Sequence, residues 1–157
     1  MEIRNKSGVL LHEAKRFRDL SNLDLRDAVL EGFTLQGAHF DYTNLEGANL
    51  RGCDLYWASF LGANLAGADL QYAQLQGVDF TQANLAGTNL RAANLGRDNL
   101  GGPTRLQDVN LEETILEGAN VDSAEYNEGT VFPKGFDPRK HKMTLRVPKP
   151  GRWVPET

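Results

Sequence analysis

The sequence predicts an all-β fold in which the chain winds into a parallel β-helix with one narrow core. Leu or Phe stands at every fifth position from Leu20 to Leu100, at 17 consecutive positions. Two residues earlier the side chain is usually small, most often Ala, and one residue earlier it is usually Asn or Asp. Gly is frequent at the second residue after each Leu or Phe.

A period of five residues fits neither an α-helix of 3.6 residues per turn nor a simple strand alternation of two. Within each unit, the small side chain and the Leu point inward and the polar side chain between them points outward. The other two residues must turn the chain, and Gly at the second one can supply the positive φ of a turn. Each unit therefore forms one short edge and one corner of a polygonal coil.

Three Phe residues interrupt the run of Leu at intervals of 20 residues: Phe40, Phe60 and Phe80. This spacing predicts four units per coil, with the three rings stacked on one wall. Leu20 and Leu100 should continue the same column.

The repeats, written A(D/N)LXX and exemplified by Ala48-Asn49-Leu50 and Ala68-Asp69-Leu70, resemble the pentapeptide-repeat family. The resemblance extends over roughly residues 18–122. It implies a right-handed, quadrilateral β-helix, and we expect about five coils that are capped at both ends.

Residues 1–17 do not follow the repeat and are interpreted as an N-terminal cap, because the open edge of a terminal coil needs cover. Glu2-Ile3-Arg4 and Val9-Leu10-Leu11 flank a turn-prone segment, which predicts a hairpin. A short helix over Leu11–Arg18 is the alternative.

The array at residues 18–122 is interrupted once, near residues 101–105, and its centres resume at Leu106, Leu111, Leu116 and Val121. The spacing indicates a one-residue insertion that distorts one corner. Just before it, Asp98 occupies an inward position that is normally small. A recognition loop is the alternative interpretation.

Residues 123–138 are predicted to form a C-terminal cap in which Phe132 and Phe136 lie across the last coil. This segment resembles the closing segment of pentapeptide-repeat proteins that are abundant in cyanobacteria. Residues 139–157 form a basic, Pro-containing tail that should be extended. Four apolar residues are candidates to anchor it: Met143, Leu145, Val147 and Trp153.

The charge is unevenly distributed: residues 18–122 carry a net charge of −9, whereas the whole chain carries −4. Many of the acidic side chains occupy the Asn/Asp column, where a short acceptor can serve the backbone. An acidic rod repels phosphate, so nucleic acid is not expected as a partner.

No catalytic, metal or cofactor site is indicated, and the chain is not expected to be an enzyme. The single cysteine, Cys53, cannot form an intrachain disulfide and falls in an inward small column, where it should act as an apolar filler. The three histidines, His12, His39 and His141, are far apart and are interpreted as surface residues. No apolar segment predicts a signal peptide or a membrane span, so a cytoplasmic location without membrane association is expected.

One group of large, mainly aromatic side chains stands out among the outward corner positions: Tyr42, Tyr56, Trp57 and Leu61. These residues fall on adjacent corners of adjacent coils, and clustered exposed apolar residues can mark a partner site. The alternative is that bulky corner residues only pack against neighbouring Gly corners. Tyr72 lies on a different corner and is expected to be a bystander.

The function predicted from these features is a non-enzymatic protein–protein interaction or scaffold module, monomeric, with an unidentified protein partner. The alternative, implied by the resemblance to pentapeptide-repeat proteins that bind gyrase in place of DNA, is a DNA-mimicking modulator of DNA gyrase or topoisomerase. A mimic should present carboxylates along one face, but two outward columns are mixed. The first is predicted to contain Glu31, Arg51, Gln71, Arg91 and Glu112, and the second Arg26, Glu46, Ala66, Ala86 and Gln107.

Overall fold

The structure is a computed structural model that describes residues 2–13 and 19–147. Within these residues there are four strands: β1 (Glu2–Arg4), β2 (Leu10–Glu13), β3 (Glu125–Tyr126) and β4 (Thr144–Leu145). β1 and β2 pair antiparallel, and β3 and β4 pair parallel. No helix occurs in the described residues, and therefore none that is long and apolar enough to cross a membrane.

Four ladders of isolated parallel β-bridges hold the array together. One ladder joins Asp19, His39, Ser59 and Asp79, and the others begin at Asp24, Val29 and Thr34. Every parallel bridge whose two residues both lie within residues 19–94 links positions 20 apart. Four five-residue units therefore make one turn of the chain, as the Phe spacing predicts. The bridges remain isolated because a corner interrupts each edge.

The corners explain why Gly is frequent but not obligatory. The second corner residue has a φ between 55° and 71° in every unit from Asn22 to Ala92. Eight of these fifteen residues are Gly, which adopts this left-handed conformation without steric cost. The other seven include three large aromatic residues: Tyr42, Trp57 and Tyr72.

The core is a single rod in which the inward side chains of successive coils stack in columns. Every Leu or Phe at the repeat centres from Leu20 to Leu95 is at most 1% exposed. The rings of Phe40 and Phe60 stack with centroids 4.8 Å apart, and those of Phe60 and Phe80 with centroids 5.2 Å apart. The predicted Phe column is therefore confirmed.

Cys53 lies inside the rod, where its thiol donates to the carbonyl oxygen of Leu30 at 2.9 Å. Burial raises the pKa of this thiol to about 11. The side chain is therefore an un-ionised filler of the small column, as its position in the repeat predicts.

The prediction of a one-residue insertion was wrong. Asp79 bridges to Arg105, 26 residues further on, so this coil contains six additional residues. Leu100 is 80% exposed instead of continuing the Phe column, and Leu106 takes the inward position. We call residues 96–103, which replace the usual two-residue corner, the inserted loop.

The energetics of Asp98 explain this register. If Leu100 were inward, the carboxylate of Asp98 would point into the core. Burial of an unpaired charge there costs roughly several kcal/mol. Burial of one Leu returns only about 1.5–3 kcal/mol. Thr104 fills the small column instead, and its hydroxyl donates to the carbonyl oxygen of Leu75 at 2.8 Å.

The insertion also changes the outward columns beyond it. Arg91 forms an ion pair with Glu117 at 2.5 Å, so Glu117 and not Glu112 continues the column of Glu31. The backbone N–H of Gly87 donates to the backbone carbonyl oxygen of Glu112. This bond places Glu112, and not Gln107, in the column of Arg26. Both columns remain mixed in charge.

At the N-terminal end the predicted hairpin is present, although β2 begins at Leu10 rather than at Val9. Asn5 forms an antiparallel bridge with Ala28, and the Ile3 side chain is fully buried against the first coil. The alternative helix over residues 11–18 is contradicted at residues 11–13, which belong to β2. Its residues 14–18 lie outside the described residues.

At the C-terminal end the chain returns onto the last coil. Phe132 and Phe136 are partly buried against the core, and their rings stack with centroids 5.3 Å apart. Met143 is buried and anchors the segment before β4, as expected. Leu145 and Val147 do not anchor it, because their side chains are exposed. Trp153 lies in residues 148–157, outside the described residues.

Candidate interaction surface

The four predicted surface residues lie on two corners that flank the wall containing the Phe column. Tyr42 and Leu61 belong to the corner that follows this wall, and Tyr56 and Trp57 belong to the corner that precedes it. Tyr42 is 58% exposed and Trp57 is 48% exposed, whereas Tyr56 and Leu61 are half-buried.

Tyr42 packs over the Gly corner of the next coil. A Cβ atom added at Gly62 would lie 2.6 Å from Cε1 of Tyr42, so only Gly leaves room for the ring. This contact is the one expected from the corner-packing interpretation. More than half of the Tyr42 side chain nevertheless remains open to solvent.

Tyr56 and Trp57 form an aromatic pair with centroids 4.9 Å apart and an interplanar angle of 51°. The indole of Trp57 lies over Gly77, where an added Cβ atom would be 2.5 Å from Cδ1. In the described residues, no ring contact joins this pair to Tyr42. The candidate surface therefore consists of two neighbouring groups.

The inserted loop contacts the Tyr56–Trp57 pair directly. Nε1 of Trp57 donates to Oδ2 of Asp98 at 2.6 Å, and the Tyr56 hydroxyl donates to Oδ1 of Asn99 at 2.8 Å. Neither loop residue was among the predicted site residues. The available signal was the charged Asp98 at a position that is normally small, but the sequence could not show which residues it would reach.

The wall between the two corners is polar at His39 and Ser59, and the corner that follows it begins with Asp41. Asp41 accepts hydrogen bonds from the hydroxyl of Ser59 and from the backbone N–H of Leu61, the latter at 3.2 Å. His39 lies 4.0 Å from the carboxylate of Asp41. The aromatic residues are thus flanked by hydrogen-bonding groups that are already engaged with each other.

Tyr72 lies on another corner, as predicted, and is 49% exposed. The guanidinium carbon of Arg51 lies 4.9 Å from the centroid of its ring, a cation–π arrangement. The exposed Tyr72 ring is therefore already covered on one side by an intramolecular partner.

Hydrogen bonding holds the Asp98 carboxylate in its ionised form. Its pKa lies below the ordinary value of 3.8, chiefly because Trp57 donates to it, with further contributions from backbone N–H groups of the inserted loop. Ionised Asp98 therefore stabilises the attachment of the inserted loop to Trp57.

We expect the attachment of the inserted loop to weaken in acid. Because the pKa of Asp98 is lowered in the folded chain, its stabilisation is complete above about pH 3.8 and is lost as the pH falls through the lowered pKa. In a Trp153→Phe background, where Trp57 is the only tryptophan, its fluorescence should stay constant from neutral pH down to that value and change below it. The Asp98→Asn variant should lack this transition, and an identical transition in that variant would show that another group is responsible.

The described residues contain no group of three or more His, Cys, Asp or Glu side chains that could hold a metal ion. His141 stacks on Phe136 with centroids 4.5 Å apart, at the end of the rod opposite the N-terminal hairpin. The features that distinguish this chain from a regular array are the aromatic corners and the inserted loop.

Comparison with known proteins agrees with the repeat pattern. A family profile described as "Pentapeptide repeats" matches eight copies, over residues 19–55 and 58–97. A comparison with curated proteins gave no significant match.

Three solved structures illustrate the similarity. HetL, a pentapeptide repeat protein involved in heterocyst differentiation regulation in the cyanobacterium Nostoc sp. strain PCC 7120, is 29% identical, with a TM-score of 0.57 over 80% of this chain. This chain spans 63% of the length of HetL. A second pentapeptide repeat protein from Nostoc PCC 7120, alr5209, is 30% identical over 82% of this chain and 85% of its own length, with a TM-score of 0.36.

The third is QnrB1, a plasmid-mediated fluoroquinolone resistance protein, which is 21% identical over 82% of this chain and 79% of its own length, with a TM-score of 0.40. Likeness at this level carries no argument about function. The family assignment rests on the profile match and on the 30% sequence identity to alr5209 over 82% of this chain. The chain belongs to the pentapeptide-repeat family.

Proposed function

We propose that this protein is a non-enzymatic interaction module that presents the surface around Tyr42, Tyr56, Trp57 and Leu61 to a protein partner. The observation that carries the proposal is the exposure of two large aromatic side chains, Tyr42 and Trp57, on the neighbouring corners that flank one wall. Binding energy at protein interfaces concentrates in Trp, Tyr and Arg side chains surrounded by weaker contacts.

Backbone conformation adds a second argument. Trp57 and Tyr42 adopt φ values of 59° and 57°, where a non-Gly residue costs about 1–2 kcal/mol. Gly occupies the equivalent corner in eight other units of the array at no such cost. Large aromatic residues at such corners are better explained by a role at the surface than by stability. Tyr72 has the same conformation, with a φ of 60°, so the neighbouring positions of Tyr42 and Trp57, and not their φ values, separate them from Tyr72.

A rigid rod suits this role. The bridge ladders fix the position of each corner, so little backbone ordering remains when a partner binds. We propose that the coil is right-handed and quadrilateral with about five coils, closed by the hairpin at one end and by Phe132 and Phe136 at the other. The 20-residue bridge spacing and the partial burial of both Phe side chains support this arrangement.

Closed ends predict a monomer. Sedimentation should give a single species near the chain mass of 17.4 kDa. A stable dimer whose interface contains Phe132 and Phe136 would refute the capping assignment.

The mixed outward columns speak against the gyrase-directed alternative. Arg51 and Arg91 interrupt the acidic residues of one column, and Ala66 and Ala86 separate those of another. A gyrase supercoiling assay tests this alternative: we expect no inhibition and no protection from quinolone at micromolar protein.

Affinity capture from the native host tests the leading proposal. Wild-type protein should retain a partner that Trp57→Ala loses and that Tyr72→Ala retains, since both variants remove one exposed aromatic ring from a left-handed corner. If both variants retain the same proteins as wild type, the aromatic corners serve packing alone.

A further inference from the structure

We propose that Asp98 positions the indole of Trp57 for contact with an apolar surface of the protein partner. The inference rests on the proposed function, because it concerns the same surface. It assigns a role to the inserted loop, which the regular repeat does not require.

The first support is a paired attachment. Trp57 donates to Asp98 at 2.6 Å, and its neighbour Tyr56 donates to Asn99 at 2.8 Å. Two adjacent loop residues therefore bind two adjacent corner residues. The Tyr56 hydroxyl also accepts from the backbone N–H of Asn99, so Tyr56 makes two neutral hydrogen bonds to the loop. The bond from Trp57 goes to an ionised carboxylate and is stronger than either of these taken singly.

The second support is the space beneath the indole. A Cβ atom at Gly77 would lie 2.5 Å from Cδ1 of Trp57 and 3.0 Å from Oδ2 of Asp98. Both groups thus occupy the volume that a side chain at residue 77 would need. Because Gly77 has no side chain, the indole of Trp57, one coil below, can reach Asp98 of the inserted loop, one coil above.

The third support is the internal order of the loop. Oδ1 of Asp98 accepts from the backbone N–H groups of Leu100 at 2.8 Å and Gly102 at 2.7 Å. Arg97 donates to the carbonyl oxygen of Gly101 at 2.7 Å. One carboxylate oxygen therefore organises the loop while the other is left to hold the indole.

The loop makes these contacts without taking part in the bridge ladders. Gln74 bridges Asn94 before it, and Asp79 bridges Arg105 after it. The stacking of coils is thus complete on both sides of the insertion. What the loop adds is the attachment to Tyr56 and Trp57.

The arrangement binds the indole through its N–H edge and leaves about half of the side chain exposed. Leu100, on the same loop, is 80% exposed. An indole face and an isobutyl group offer apolar contact and few hydrogen bonds, so the matching partner surface is apolar. A ring that is already fixed before binding loses less side-chain conformational entropy on association.

The test uses the full chain with Trp153→Phe, which leaves Trp57 as the only tryptophan. Asp98→Asn keeps one side-chain oxygen, which should face the two backbone N–H donors of Leu100 and Gly102. The amide NH₂ then faces the indole and cannot accept its hydrogen bond. Asp137→Ala is the matched control, because Asp137 caps the backbone N–H of Arg139 at 3.0 Å in a different segment.

The indole N–H of Trp57 should give an NMR signal shifted downfield and slow to exchange with deuterium. Asp98→Asn should move this signal upfield, accelerate its exchange and raise acrylamide quenching of Trp57, whereas Asp137→Ala should change none of these. An indole signal and exchange rate unchanged in Asp98→Asn would overturn the positioning role.

Binding is measured in parallel with the proteins that wild type captures from the host lysate and Trp57→Ala loses. We expect Asp98→Asn to weaken their capture roughly threefold to tenfold, the penalty of immobilising one free side chain. If Trp57→Ala lowers capture and Asp98→Asn does not, the positioning role is wrong. If Trp57→Ala has no effect on capture, the proposed function is wrong, and the NMR result still decides whether Asp98 holds the indole.

Discussion

Leu65→Asp is expected to abolish cooperative unfolding or soluble expression. Leu65 is fully buried in the middle of the rod, and its backbone N–H donates to the carbonyl oxygen of Asn84 on the next coil at 2.7 Å. A carboxylate there would be buried without a partner charge, which would destabilise the fold by roughly several kcal/mol. Because each coil contacts only its neighbours, a defect in the middle separates the array into two weaker halves.

Ala66→Asp is the matched control, one residue further along the chain. Ala66 lies at a half-buried corner, in the column where Glu46 is present one coil below. We expect this variant to unfold cooperatively, with a change within about 0.5 kcal/mol. Thermal and urea unfolding monitored by circular dichroism measure both variants. A Leu65→Asp protein that melts within a few degrees of wild type would show that Leu65 is not inward.

Phe60→Ala is expected to cause the second largest loss. Phe60 is fully buried between the rings of Phe40 and Phe80, with centroid separations of 4.8 and 5.2 Å. Removing the central ring leaves a cavity that the fixed ladders cannot close, so the cost should be about 3–5 kcal/mol. For a chain of this length the melting temperature should fall by about 10 °C or more.

Phe60→Leu provides the comparison, because Leu is the usual residue at the centres of this array. It should cost clearly less than Phe60→Ala, since most of the buried apolar volume is kept. Equal losses from the two variants, measured by urea unfolding, would mean that the cost does not come from the cavity. A stable Phe60→Ala protein would contradict the stacked column.

The regular part of the fold could be predicted because its signals are local. The five-residue period gives the inward and outward positions, and the interval between Phe40 and Phe60 gives the number of units per coil. Both follow from side chains that repeat along the chain, and the bridges between residues 20 apart agree with them. The left-handed corners were also predictable wherever Gly marks them.

The inserted loop could not be predicted because the sequence stays in phase through Leu100. Pattern alone therefore places Leu100 inward and delays the interruption until Gly101. The actual register depends on a comparison of energies, since the gain from burying Leu100 is smaller than the cost of burying Asp98. The partner of Asp98 is Trp57, 41 residues earlier, and a contact over that distance leaves no local trace.

The residues of the candidate surface could be predicted from the sequence, but the contacts that hold them in place could not. The sequence placed Tyr42 and Trp57 on neighbouring corners, and the bridge ladders agree with that placement. It did not reveal that Gly62 and Gly77 lie beneath the two rings, or that the inserted loop reaches one of them. These contacts depend on which residue lies one coil above, and six inserted residues change that relation for the rest of the chain.

Trp57→Ala, examined for both binding and stability, tests the central claim most directly. The left-handed corner tolerates Ala, as Ala92 shows with a φ of 55°, so the fold should melt almost unchanged. We predict that binding to the captured partner, measured by calorimetry, weakens by about 2 kcal/mol or more. A Trp57→Ala protein that binds this partner as tightly as wild type would contradict the claim and leave the aromatic corners a packing role only.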